Sequence, residues 1–329
     1  MKSTALRLIV LAVLTAIAAA LSFGYLGRIH LALDSFSHFR VHLAVLMLFL
    51  VPILLLMRFR MEALFAIALG GLSLGTTLWE GAAATPSGVS SNQSGPVYRL
   101  LHLNVYYRNQ QPEAVLSLIG ELKPDIVTLN EVTRAWHEKL SLLEHTYPYS
   151  MFCPKPRDVG GTAVLSRRPF AQGFHPKCAA KGDVAHLRYD FSGQSVDILA
   201  VHLGWPWPFH QQHQLPRILP LMNDVGPTAI IAGDLNSAPW SYSARALAGA
   251  AGSTILRGAG STYLHEFAPD WMRSSIGLPI DHVMTKGAVI PRKLESTYGG
   301  NSDHLPLLFE FSLLPEEKPA EILQAFVNR

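Results

Sequence analysis

The sequence predicts a segment of three membrane-spanning helices followed by a domain of the α/β or α+β class, and three observations carry that expectation. Three long apolar stretches fall within the first 80 residues. Beyond residue 97, short apolar runs alternate with loops and a few helical stretches, as in a mixed sheet with helices. Polar clusters ride at the ends of those runs: Asn104, Glu131, His202, Asp234 with Asn236, Asp281 with His282, and Asp303 with His304. Carboxylates, carboxamides and imidazoles gathered where strands open into loops suit metal-assisted phosphoester hydrolysis.

The apolar stretches at 6–27, 39–57 and 61–79 consist mostly of Leu, Ile, Val, Ala, Phe and Gly, and together define a membrane domain over 1–80. At about 1.5 Å per residue, roughly 20 such residues cross the hydrocarbon core of a bilayer. Arg58, Phe59 and Arg60 leave room only for a tight hairpin between the second and third. A cleaved signal peptide is the competing reading of the first stretch, since Lys2 and Arg7 precede it and Ala18, Ala19 and Ala20 lie within it. The apolar character continues to Leu26 and two more spans follow, which favours a retained helix. Lys2, Arg7, Arg58 and Arg60 would share one side, against Arg28 and Arg40 on the other. That bias puts the amino terminus inside, in an inner or plasma membrane, and everything after residue 80 outside the cytoplasm.

Residues 81–96, GAAATPSGVSSNQSGP, have nothing to bury and read as a flexible linker. Of the 27 Lys and Arg, six lie in residues 1–96, as do three of the 24 Asp and Glu, leaving 21 of each beyond. The soluble domain is therefore neutral and lacks the broad basic footprint of a protein that grips long nucleic acid. Its two cysteines, Cys153 and Cys178, could pair in an oxidising compartment or stay as buried thiols.

Along that domain, 98–105 reads as a strand, and Pro112 opens an amphipathic helix through Leu122 with Val115, Leu116, Ile119 and Leu122 on one side. A second strand at 126–129 delivers Glu131, and Thr133 caps a helix through Leu143. Further strands are expected at 162–166, 184–190, 196–202, 229–232, 280–285 and 305–311, each bounded by turn residues. The tail at 315–329 is assigned no role beyond a short helix.

Asp234 and Asn236 project from one loop after a strand too apolar for a surface, offering a carboxylate beside an amide; alone, the pair also reads as a structural Asx turn. Gly233 would let a substrate or a neighbouring strand approach the backbone. Asp303 beside His304 suits an imidazole kept protonated against phosphate, and equally a capped turn with a surface histidine. Glu131 with one further Asp is enough for Mg²⁺, which keeps waters and phosphate oxygens as its other ligands. Zinc would require a denser His/Cys set, and none occurs.

The succession Leu103-Asn104-Val105, Leu129-Asn130-Glu131, Gly161 to Arg167 (GTAVLSR), Val201-His202-Leu203, Gly233-Asp234-Leu235-Asn236, Ile280-Asp281-His282-Val283 and Ser302-Asp303-His304 resembles the endonuclease/exonuclease/phosphatase superfamily, deoxyribonuclease-like metal-dependent phosphoesterases, as a membrane-anchored, bacterial-type member. The resemblance covers residues 97–314, the expected catalytic domain. It implies a four-layered α/β sandwich, two mixed sheets with helices outside, and a site at one rim. It implies Glu131 as the metal-binding acid, with Asn104 and Asp303 in the metal or phosphate shell and Mg²⁺ as cofactor, Mn²⁺ substituting. Asp234 would orient or deprotonate the attacking water, and Asn236 would hold a phosphoryl oxygen. His304, supported by Asp303, would stabilise the transition state, and His202, oriented by Asp281, would protonate the leaving oxygen. Asn130 stands where the family usually carries Gln.

Two features bear on substrate. Trp205 and Trp207 form a stiff aromatic stretch after His202 that would suit a lipid interface, a stacked base or a packed lid. Arg167 follows a strand bordering the site in the family and could meet phosphate, although a solvated basic residue is the commoner fate. The expectation is a membrane-anchored phosphoesterase acting on a phosphodiester or phosphomonoester, leaning to a lipid-linked or small phosphorylated substrate. The alternatives are an extracytoplasmic nuclease acting on DNA or RNA, and a catalytically idle membrane scaffold. The partners are then the lipid bilayer and the phosphoester; no protein partner is legible.

Overall fold

A computed structural model describes residues 2–84, 95–155 and 159–315. Helices α1 (Lys2–Phe23), α3 (Arg40–Leu56) and α4 (Arg60–Ala84) form the amino-terminal bundle, with a single turn α2 (Leu31–Asp34) and a 3-10 turn (Ser35–Phe39) in the connector from α1 to α3. Stretches Thr4–Phe23, Leu31–Leu56 and Arg60–Trp79 are long and apolar enough to cross a bilayer. Val10, Leu14, Ile17, Ala44, Met47 and Ala66 fill the seam between the helices. Gly70 lets α4 approach α3 closely, since a Cβ there would lie 3.1 Å from the Ala44 carbonyl. Arg7 donates to the Met57 carbonyl and covers the Phe59 ring, so the start of α1 and the α3–α4 turn lie at one end of the bundle. Helix α4 continues through Ala84, so the first four residues of the expected linker are helical; residues 85–94 and the tail at 316–329 lie outside the described residues.

The rest of the chain builds two six-stranded mixed sheets. Strands β1 (Tyr98–Asn104), β2 (Ile126–Val132), β3 (Met151–Cys153), β4 (Gly161–Ser166), β11 (Val289–Ser296) and β12 (Leu307–Leu313) form one, in the order β11-β12-β1-β2-β4-β3. Strands β5 (Lys177–Ala179), β6 (Val184–Phe191), β7 (Gln194–His202), β8 (Ala229–Asp234), β9 (Thr254–Ile255) and β10 (Asp281–Lys286) form the other, in the order β5-β6-β7-β8-β10-β9. Each sheet holds one parallel pair, β1 with β2 and β7 with β8; the remaining pairs are antiparallel. Parallel neighbours need a crossover, and α5 (Pro112–Leu122) and α7 (Gln211–Met222) supply it.

Leu100, Ile126, Val164, Leu187, Ile198, Ile230, Val283 and Phe309 pack between the sheets. On the outer faces, α5 and α6 (Arg134–Leu140) cover the first sheet through Val115, Ile119 and Trp136, while α7 and α8 (Tyr242–Ala251) cover the second through Leu215, Ile218 and Leu247. The result is the four-layered sandwich the sequence led us to expect. The Thr133 hydroxyl caps α6 by accepting from the Trp136 amide, and the helix tightens into a 3-10 turn at Ser141–Leu143. Cys153 and Cys178 form a disulfide, which resolves the open choice between bridge and thiols. Gly233 is required by its neighbour strand, because a Cβ there would overlap the Val201 carbonyl.

Candidate active site

Backbone direction gathers the polar clusters. The register sets Asn104 beside Asn130 and His202 beside Asp234, so both parallel pairs end at the same rim, where α/β sheets commonly bind ligands. The antiparallel neighbours start there: Asp281 opens β10 opposite Asp234, and His304 precedes β12, whose Leu307 faces His102 of β1. A register shift in β2 between Leu129 and Val132, with Glu131 at φ +61°, turns that carboxylate out of the ladder and toward the rim.

Asn104 ties the two sheets together. Its Nδ2 donates to Glu131 Oε1 at 3.2 Å and to Asp234 Oδ2 at 2.9 Å, while its Oδ1 accepts from the Tyr106 amide. Glu131 Oε2 accepts from the Tyr107 amide at 2.9 Å. Asn130, at the position where Gln was expected, accepts the Asp234 amide at 2.7 Å across the sheets and so fixes the backbone under the carboxylate. Asn236, left-handed at φ +46°, donates its amide to Asp234 Oδ1 at 2.8 Å and its Nδ2 to the Leu203 carbonyl at 2.8 Å.

The histidines differ from the pairing expected. His304 Nδ1 bonds Asp281 Oδ2 at 2.7 Å, and His102, itself bonded to Thr128, meets Asp281 Oδ1 at 3.3 Å. Asp281 thus orients His304, whereas His202 Nδ1 is buried with no hydrogen-bond partner. The reason is topological: β10 carries Asp281 into the sheet on the far side of β8 from β7, away from His202 and toward the start of β12. Asp303 supports His304 through its charge, after Asp281 and Asp234, while the Ser302 hydroxyl accepts the His304 backbone amide and donates to the Asn104 carbonyl.

Charge follows from these contacts. Burial alone would lower the His304 pKa, but the Asp281 and Asp234 carboxylates outweigh it and push it up to about 10. Burial works against Asp281 too, yet His304 and His102 draw it well below the usual carboxylate range. His202 is lowered to about 3, first by burial and then by the charges of Lys155 and His304, so it is a neutral imidazole at pH 7. Burial raises Asp234, Glu131 and Asp303. Within 4.0 Å of His202 Nε2 lie Glu131 Oε1 (3.9 Å) and Asp234 Oδ2 (3.8 Å), and His304 Nε2 lies 3.7 Å from Asp234 Oδ2.

Asp234, Asp281 and His304 bring ligand-type atoms within 4.8 Å of one another. The short Asp281–His304 bond already engages two of them, which argues for an ion pair there. Glu131 and Asp303 also offer carboxylate oxygens of the kind a hard cation takes, and burial raises the pKa of both.

Among the expected residues, Asn104, Glu131, His202, Asp234, Asn236, Asp281 and His304 converge. Trp205 borders them, stacked edge-on to Tyr263 at 5.6 Å, with Tyr263 4.9 Å from His304. Trp207 turns the other way: its ring meets His30 at 6.3 Å and its carbonyl accepts from Ser35. Arg167 does not join the site. It follows the last residue of antiparallel β4 and donates its amide to the Asp125 carbonyl, before the start of β2, roughly 20 Å of strand from Glu131; its guanidinium packs on Tyr147. Sequence reading missed the basic lining of the cleft. Lys155, Lys181, His210, His213 and Arg217 border a cavity of about 670 Å³ that also reaches Glu131, Asp183, His202 and Asn236, with Lys155 paired to Asp183. They come from separate loops and α7, so no local spacing marks them. His102 was detectable as a lone imidazole inside an apolar strand.

The sequence model of the Endonuclease/Exonuclease/phosphatase family matches residues 101–304. Comparison with curated protein sequences gave no match. Among solved structures, similar folds include an endonuclease/exonuclease/phosphatase from Bacteroides vulgatus, with TM-score 0.54 and 16% identity over 67% of this chain and 100% of that one. D. rerio TDP2 complexed with a single-strand DNA product gives 0.53 and 17% over 66% and 99%. The human Nocturnin catalytic domain with bound sulfate gives 0.51 and 18% over 67% and 94%.

Proposed function

The chain belongs to the endonuclease/exonuclease/phosphatase family, metal-dependent enzymes that hydrolyse phosphoester bonds, and on that premise we propose that it is a membrane-anchored phosphoesterase working outside the cytoplasm by direct attack of water. The observation that carries the reading is the interlocked set at the rim, in which Asn104 bridges Glu131 and Asp234 while Asp281 orients His304. Glu131, with Asn104 and Asp303, would hold Mg²⁺, or Mn²⁺ in its place. Bound there, the ion would neutralise charge on a phosphoryl oxygen.

Asp234, its proton affinity raised by burial, accepts a proton from the attacking water. Asn236 holds a phosphoryl oxygen. The His304 imidazolium, charged across the neutral range, stabilises the excess negative charge of the transition state. His202, neutral, donates a hydrogen bond from Nε2 to the leaving oxygen rather than delivering a proton held by a carboxylate partner. The basic cleft favours an anionic substrate. A nuclease is the second reading, favoured by that cleft and by the single-strand DNA product on TDP2. The completeness of the polar set argues against an idle scaffold.

Full-length protein is expected to hydrolyse bis(p-nitrophenyl) phosphate in Mg²⁺ or Mn²⁺ and to stop in EDTA. Asp234→Asn and His304→Gln should each lower kcat by about 10²–10³, and Glu131→Gln should raise the metal concentration needed for half-maximal rate. Unchanged rates in all three variants would sink the assignment.

The orientation rests on the basic residues at the Arg7 and Arg58 end of the bundle and on the disulfide of the catalytic domain. A reporter active only in the cytoplasm, fused after Arg329, is expected to be silent; activity would reverse the topology.

A further inference from the structure

A smaller, more apolar cavity borders the catalytic cleft. A cavity of about 170 Å³ shares Trp205 and Asn236 with the basic cleft and runs from them between the aromatic loop and the α1–α3 connector. Phe39, Trp207, Phe209 and Leu278 form much of its wall. Of the polar groups on that wall, Ser35 Oγ donates to the Trp207 carbonyl and His38 Nδ1 accepts from the Ala238 amide, while His38 Nε2 is buried without a hydrogen-bond partner.

The far end of this groove lies beside a stretch long and apolar enough to cross a bilayer. Phe39 immediately precedes Arg40, the first residue of α3, and the Leu31–Leu56 stretch containing both is apolar enough to span. Phe39, Trp207 and Phe209 remain 48%, 42% and 60% exposed, as aromatic side chains are where a protein meets the lipid interface. The connector is held against the catalytic domain by buried bonds, since Asp34 accepts from the Tyr242 and Ser243 amides and Trp240 donates to the Ser37 carbonyl. The membrane segment therefore supplies a wall of the groove.

Two arms of opposite chemistry meet at Asn236. A basic cleft suits a charged head, and an apolar groove ending beside a membrane span suits a hydrocarbon chain. A nucleic acid strand would instead use a polar, positively charged track with stacking faces along its length. We propose that the substrate is a membrane lipid with a phosphoester headgroup, which enters sideways from the leaflet and lays its hydrocarbon chain in the groove between the connector and the aromatic loop. This rests on the phosphoesterase reading and names the substrate class of the same site.

The test uses full-length protein in nanodiscs and a series of p-nitrophenyl alkyl phosphodiesters, from methyl to dodecyl. kcat/KM is expected to rise about tenfold or more along the series, mainly through KM, because each buried methylene adds to binding. Leu278→Trp and Ser35→Phe, which fill the groove, should flatten that dependence, each lowering turnover of the dodecyl ester at least about tenfold more than that of the methyl ester. A rate independent of chain length, or an equal effect of the variants on short and long esters, overturns the lipid groove while leaving the phosphoesterase intact. Faster turnover of a single-stranded oligonucleotide than of the dodecyl ester does the same in favour of a nuclease. No turnover of any ester overturns the phosphoesterase reading and the groove with it.

Discussion

Asp281→Asn is expected to destabilise the catalytic domain by about 3–5 kcal/mol, the cost of leaving a buried charge without its partner. Asp281 is 3% exposed and accepts from two imidazoles, His304 at 2.7 Å and His102 at 3.3 Å. With the carboxylate neutralised, His304 keeps Asp234 at 3.7 Å but loses its nearest partner, so its pKa falls from about 10. The effect has a defined pH window. His304 is ordinarily half-protonated at 6.5 and in the fold at about 10, so its contribution is complete below about pH 6.5 and is lost as pH rises through about 10. Asp281 lies below its ordinary value, so its contribution is complete above about pH 4 and lost as pH falls further. The deficit of the variant should be widest between about pH 4 and 6.5 and narrow toward pH 10. Denaturant unfolding of both proteins in EDTA at pH 6 and 9.5 checks it, and an equal deficit at both would mean that the pair is not ionic. Turnover should fall with the weakened imidazolium by about 10²–10³.

Asp34→Ala is expected to loosen the catalytic domain from the amino-terminal bundle, although residue 34 lies some 200 positions from the helix it supports. Helix α8 begins with amides that have no partner within the helix. The Ser241 hydroxyl takes Ala244, the Ser241 carbonyl takes Arg245, and Asp34, 2% exposed, takes Tyr242 at 2.7 Å and Ser243 at 2.9 Å. It also accepts from the hydroxyls of Ser243 and Ser37. A carboxylate at a helix amino terminus is favoured further by the helix dipole. Alanine leaves the buried Ser243 amide and the part-buried Tyr242 amide without their partner, at about 1–3 kcal/mol for a buried group, so a loss of about 3 kcal/mol is expected. Amide exchange at Tyr242 and Ser243 should accelerate, and the loop from Ser237 to Trp240, which the connector also grips, should follow. Unchanged exchange at both amides would show that the connector does not hold this helix.

How much was legible depended on whether the signal was local. Strands at the parallel pairs were found because buried β strands are short apolar runs, and their ends marked Glu131, His202 and Asp234 as they lie in the fold. Helix α7 carries Pro216 and Pro220, and β11 carries Pro291, residues that speak against a regular element when read alone. Packing overrode both: Leu215, Ile218 and Met222 are buried against the second sheet. Helix α8 is rich in Ala, with Leu247 its one large aliphatic side chain, so no apolar run marked it before its neighbours gave it an inner face.

By itself the sequence determined the chemistry and its order along the chain: three apolar spans, a neutral soluble domain, and acids, amides and imidazoles at strand ends. Those are properties of residue type and short spacing, which need no partner from elsewhere. Only the tertiary structure decided which histidine Asp281 serves, that Arg167 faces the opposite rim, and that Asp34 from the amino-terminal segment caps a helix of the catalytic domain. Each depends on strand direction and register or on contact between segments far apart in sequence. A motif carries the identity of a side chain, but the end of the sheet at which it emerges, and what it meets there, is fixed by how the strands pair.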